Sequence, residues 1–210
     1  MIILFDLDGT LIDSTEAILE SFHNSFAIHH QRAPSDEAIT RLIGHPLDVM
    51  YGELGVDEAK VWDFVTTYKE QYRQIFKEKT VLLENAVEAV ALASEHARLG
   101  VVTTKTGRYS RELLEHFQIM HHFELLIGRE DVTYPKPHAE PIEKAVAFFT
   151  CKKDRCWMIG DTRLDLESAK NANIHGIGVL SGYDSKEQLL TYSDVIKKDA
   201  LEAVKHIVKK

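Results

Sequence analysis

The hydrophobic positions of this chain come in short, nearly unbroken runs. They lie at Ile2 to Phe5 ("IILF"), 99–104 ("LGVVTT"), 123–128 ("FELLIG"), 156–160 ("CWMIG") and 176–180 ("GIGVL"). Continuous rather than alternating hydrophobicity fits strands covered on both faces. Between the runs lie stretches of helical spacing, at 85–97, 108–118, 139–149 and 163–172. Strand followed by helix, repeated, predicts a parallel sheet with helices on both faces: a doubly wound, Rossmann-like α/β core.

The stretch from 14 to 80 has another rhythm. Helical patterns over 15–29, 36–43, 47–54 and 58–78 follow one another with no convincing strand between them. Asp13 with Glu16 three residues on is a helix-start signal, and Pro46 suits the first turn of the third helix. Tyr68, Tyr72 and Phe76 recur at helical spacing and read as packing. This stretch reads as a small all-α cap inserted after the first strand, with residues 1–13 and 81–210 forming the core. Such an insert follows the C-terminal end of that strand, the edge where open α/β sheets bind ligands. The terminal "KHIVKK" reads as a charged helix end.

Composition narrows the partners. Hydrophobic residues make up 44% and charged residues 28%, ordinary for a soluble protein, and the formal net charge is −8. That balance counts against nucleic acid and against an anionic membrane surface. No run approaches the roughly 18 apolar residues of a membrane span, and the N-terminal run is too short for a secretory signal, so a cytoplasmic location is expected. Cys151 and Cys156 form a lone C-x4-C pair, read as two reduced thiols rather than a metal site or a disulfide.

The chemistry-bearing residues gather at strand ends. The first strand runs straight into Asp6 and Asp8, which strand alternation would aim at one volume, with Gly9 allowing a tight turn. Thr103 ends the second strand. Lys136 follows the third, between Pro135 and Pro137. Asp161 ends the fourth, and Asp165 comes one helical turn later. Any one of these has a bland alternative: Asp161 as a helix cap, Lys136 as a surface lysine. Their order along the chain is what sets them apart. Two like charges about 4 Å apart cost on the order of 4 kcal/mol at an effective dielectric of 20. Four such carboxylates call for a hard cation, and Mg2+ takes oxygen ligands of this kind.

"DLDGT", a strand ending in Thr103, Lys136 and "GDTRLD", in this order, resemble the haloacid dehalogenase superfamily of phosphotransferases over essentially the whole chain. The helical insert resembles that superfamily's small cap. "IGHPL" and the Thr-Thr-Lys run at 103–105 are similar to those of phosphoglycolate phosphatases and related small-phosphate hydrolases. The resemblance implies a Mg2+-dependent phosphatase working through an aspartyl-phosphate. Asp6 would be the nucleophile and Asp8 the acid and base. Thr103 and Lys136 would hold the phosphoryl oxygens. Asp6, Asp161 and the Asp8 carbonyl would bind the metal, with Asp165 acting directly or through water. The backbone around Gly9, Thr10 and Thr104 would touch the phosphate. His45 is the cap's substrate candidate, with Arg41 and Tyr51 weaker. Two departures, Thr104 where Asn is commoner and Ala139 where a proline is usual, bear on the subfamily only.

The leading expectation for the substrate is 2-phosphoglycolate, taken by a monomer or weak dimer. Inorganic pyrophosphate is the rival. A β-phosphoglucomutase-like activity ranks lower, because such mutases carry a Ser-rich second motif. Asp8 counts against a dehalogenase or phosphonatase, a binding scaffold would lack one of these groups, and a closing cap disfavours a protein substrate.

Overall fold

The computed structural model describes residues 1–209. The chain divides into two compact units: Met1–Ile12 together with the chain from Leu82 onward, and Asp13–Val81.

In the larger unit, six strands form one sheet: β1 (Ile2–Phe5), β2 (Arg98–Val102), β3 (Phe123–Ile127), β4 (Cys156–Gly160), β5 (His175–Val179) and β6 (Ile196–Lys197). Their order is β3-β2-β1-β4-β5-β6, with every pairing parallel. The order reverses at β1, so β1 lies at the switch point where doubly wound sheets present their ligand crevice. Every residue of β1 and of β4 is buried, which is why their sequences read as unbroken apolar runs. Ile2, Leu4 and Met158 pack in one core cluster with Ile142 and Phe149 of the helix Glu140–Phe149.

Some boundaries differ from the sequence expectation. The second strand stops at Val102, which leaves Thr103 and Thr104 in the turn that follows. β6 went unforeseen, because two residues carry no periodicity. The C-terminal helix, Ala200–Val208, is more than a charged end: Ala200, Ala203, Val204 and Ile207 are buried, and Asp199 caps it by accepting from the Glu202 N–H at 2.9 Å.

The smaller unit holds the helices Thr15–Ile28, Asp36–Thr40, Leu47–Glu53 and Val61–Ile75, the last entered through a 3-10 turn at Glu58–Lys60. Its core is aromatic. The Phe22 and Tyr51 rings lie 4.7 Å apart, Phe26 and Phe64 5.1 Å, and Tyr68 stacks on Tyr72 at 5.6 Å. Tyr51 is fully buried, with its hydroxyl 2.6 Å from Ser25 Oγ. That corrects its reading as a substrate contact: it is a core residue with a satisfied polar tip. Tyr68, Tyr72 and Phe76 are buried, as packing residues should be. Among the described residues no helix is long and apolar enough to cross a membrane.

Candidate active site

β1 hands the chain to Asp6 at the switch point, and the Asp6 N–H continues the ladder by donating to Ile159 O at 2.9 Å. Asp6 is 3% exposed, Lys136 3%, and Asp161 and Asp165 0%. One oxygen from each of Asp6, Asp161 and Asp165 lies within 4.8 Å of the other two. Lys136 is no surface lysine. Its ammonium donates to Val102 O at 3.0 Å and to Asp165 Oδ1 at 2.5 Å. It also lies 2.8 Å from Asp6 Oδ1, an ion pair at an angle outside hydrogen-bond geometry.

One ammonium against three buried carboxylates leaves an excess of negative charge, and the titration of the groups reflects it. Burial, with Lys136 opposing and Asp165 and Asp8 adding repulsion, lifts Asp6 from an ordinary 3.8 to about 7. Asp161 is pushed well above the usual carboxylate range by burial, then by Asp165 and Asp6. Burial acts to lower the Lys136 ammonium, but Asp165 and Asp6 outweigh it and hold the charge on.

The carboxylates are fixed by their neighbours. Asp165 Oδ2 accepts from Thr162 N at 3.0 Å and from Thr162 Oγ1 at 2.7 Å, forming a capping box on the helix Arg163–Asn171. Thr162 is therefore the cap, and Asp161 is left for the site. Asp161 Oδ1 accepts from Thr10 Oγ1 at 2.9 Å and Oδ2 from the Tyr183 N–H at 3.0 Å. Gly9 sits at φ +81°, a left-handed conformation, and a Cβ there would overlap the Asp161 carboxylate. Asp6 Oδ1 is buried, with the Lys136 ammonium 2.8 Å away. An all-carboxylate donor set that carries more negative charge than the one Lys136 ammonium offsets fits a hard cation such as Mg2+, held by Asp6 and Asp161 with Asp165 beside them.

The sequence profile of the haloacid dehalogenase-like hydrolases matches residues 3–179. The chain belongs to that family. Among its relatives, a protein named pyrophosphatase PpaX from Anoxybacillus flavithermus is 31% identical over 191 residues, spanning 90% of this chain and 88% of the relative. A crystal structure described as a predicted phosphatase from Clostridium acetobutylicum superposes with a TM-score of 0.91 at 26% identity, over 100% of this chain and 98% of that one. One described as a predicted phosphoglycolate phosphatase from Haemophilus somnus gives 0.90 at 23% identity over 100% and 97%, a likeness of fold.

Within this haloacid dehalogenase-like hydrolase, Asp8 is held apart from the three-carboxylate cluster. Its carboxylate does not join the other three: both oxygens lie 3.0 Å from Lys105 Nζ, in a largely buried ion pair. β1 ends at Phe5, so Asp8 belongs to the turn and its direction is set locally rather than by strand alternation. Lys105 is the residue the sequence reading passed over. The signal was present, a lysine two positions past Thr103 in a loop at the ligand rim. Thr103 is buried, and its hydroxyl accepts from Lys105 N at 3.2 Å. In the turn after β1, Gly9 N donates to Ile12 O at 2.8 Å and Thr10 N to Leu7 O at 3.3 Å. Thr104 is half-buried in the turn. In the smaller unit, Arg41 is exposed, its Nε donating to Glu37 O at 3.4 Å, while His45 is half-buried and its amide donates to Leu42 O at 3.0 Å.

Proposed function

We propose that the chain is a Mg2+-dependent phosphatase that passes a phosphoryl group from a small substrate to Asp6 and then to water. The observation that carries this reading is the buried Lys136 ammonium set between Asp6 and Asp165, with the buried Asp161 carboxylate beside them. In the first step an Asp6 oxygen bonds to phosphorus while the bond to the leaving oxygen breaks, and Asp8 gives that oxygen its proton. In the second, Asp8 takes a proton from water as the water oxygen bonds to phosphorus and Asp6 is released. Lys136 offsets the charge gathering on the phosphoryl oxygens, and the Thr103 hydroxyl, which accepts from Lys105 N, keeps its own proton to donate to them. When bound, Mg2+ would screen the carboxylates from the incoming phosphate and polarise its oxygens.

For the substrate, the relatives named pyrophosphatase PpaX favour inorganic pyrophosphate. The motif resemblance at "IGHPL" and at 103–105 supports 2-phosphoglycolate as a second reading. Phosphate release from pyrophosphate, 2-phosphoglycolate and hexose phosphates, with and without Mg2+, tests both. The expected result is release that requires Mg2+ and is most efficient with pyrophosphate. A higher kcat/KM with 2-phosphoglycolate would select the second reading, an isomerised sugar phosphate would indicate a mutase, and no release from any of them would overturn the proposal.

A further inference from the structure

The loop between β5 and the short helix Lys186–Leu189 converges on Asp161 in a way the catalytic residues alone do not explain. Its ends are pinned: Leu180 N donates to Lys197 O at 3.0 Å, and Ser185 caps the short helix by accepting from Gln188 N. Between the pins, the contacts run to the Asp6–Thr10 turn, to Asp161 and to the residues following it. Ser181 Oγ donates to Gly9 O at 2.8 Å. Tyr183 N donates to Asp161 Oδ2 at 3.0 Å, and Asp184 N to Asp161 O at 3.4 Å. Asp184 in turn accepts from Arg163 N at 2.6 Å and from the Arg163 guanidinium at 3.0 Å, which ties the loop to the helix behind Asp161.

Gly182 gives the sharpest indication. Its φ lies outside the left-handed region, so a positive φ is not what calls for glycine there. What a side chain would meet first is the Asp161 side chain: the three atoms nearest an added Cβ all belong to it, and the Cβ would overlap the carboxylate. Gly9 presses on the same carboxylate from another loop, and Thr10 supplies the hydroxyl to its second oxygen. The Asp161 carboxylate is thus gripped between two glycines and oriented by two donors. Changing the groups behind a metal ligand that fix its orientation typically costs about ten- to a hundredfold in metal affinity or activity.

We infer that Ser181–Asp184 is a positioning loop that sets the Asp161 carboxylate for the divalent cation, with Gly182 and Ser181 as its decisive residues. The inference rests on the cation site of the proposed function and adds the residues that tune it. The test uses the full-length, metal-free protein and Mn2+ alone as probe, counting free ion by its paramagnetic resonance signal, beside thermal melting in chelator. Gly182→Ala should weaken Mn2+ binding by about ten- to a hundredfold. Ser181→Ala, which removes a single hydrogen bond and leaves Gly182 intact, should weaken it by a smaller factor while the melt stays close to wild type. If Gly182→Ala fails to fold, Ser181→Ala decides. Wild-type Mn2+ affinity in a folded variant, even one with a lowered melting temperature, would make the loop merely structural and overturn the inference. Absence of Mn2+ binding by the wild-type chain would overturn the cation site and this inference with it.

Discussion

Replacing Asp6 by Asn should change how the metal-free protein's stability depends on pH. In the folded chain Asp6 titrates near 7, against an ordinary 3.8 once unfolded. Between those values the folded state holds a proton that the unfolded state has lost, so rising pH favours unfolding. The stability from this group is fully present below pH 4 and gone above pH 7. From pH 5 to pH 8 the folded carboxyl loses its proton across about two of those units, at about 1.4 kcal/mol each, so Asp6 costs about 3 kcal/mol over the interval. Asn has no such proton, and removing the Asp6 charge also relieves Asp161, whose titration Asp6 helps to raise. Urea denaturation in chelator near pH 5 and near pH 8 would read the difference: the wild type should lose about 3 kcal/mol more than Asp6→Asn. Equal losses in the two proteins would refute the reasoning, because they would mean that burial and the neighbouring carboxylates do not lift the Asp6 titration.

Other consequences follow from the same charges. Lys136→Met removes the one ammonium from between Asp6 and Asp165, leaving buried charge uncompensated, and should destabilise the metal-free protein by about 3–5 kcal/mol in urea denaturation. Added Mg2+ should stabilise the wild type more near pH 8 than near pH 5, because a cation must displace the proton held by Asp6; a thermal shift independent of pH would contradict this. Lys105→Met unties Asp8, so hydrolysis of an alkyl phosphate should fall on the order of a hundredfold. Lys105→Arg should restore much of that loss, and p-nitrophenyl phosphate, whose leaving group needs little protonation, should be far less affected.

The parts of this molecule that burial dictates were legible in its sequence. β1 and β4 are covered on both faces, so their residues had to be apolar, and the residues just past their ends, Asp6 and Asp161, stood out as charges where strands stop. Lys136 was legible only through its place in the motif order, since nothing local to it announces an ammonium at 3% exposure. The Asp8–Lys105 pair was not legible, because Asp8 lies past the last residue of the strand, where period-two spacing no longer sets direction. The grip on Asp161 was invisible for another reason: the Tyr183 N–H donates as backbone, and any non-proline residue there could do so. Gly182 reads in sequence as an ordinary loop glycine, and the nearness of the Asp161 carboxylate shows only in the structure.

The most direct test of the catalytic account is the turnover of Asp6→Asn on pyrophosphate and 2-phosphoglycolate at saturating Mg2+. With the nucleophile replaced by an amide and the fold retained, phosphate release should drop by at least about a thousandfold. A folded Asp6→Asn protein that releases phosphate at a rate close to wild type would show that phosphorus is never carried on Asp6.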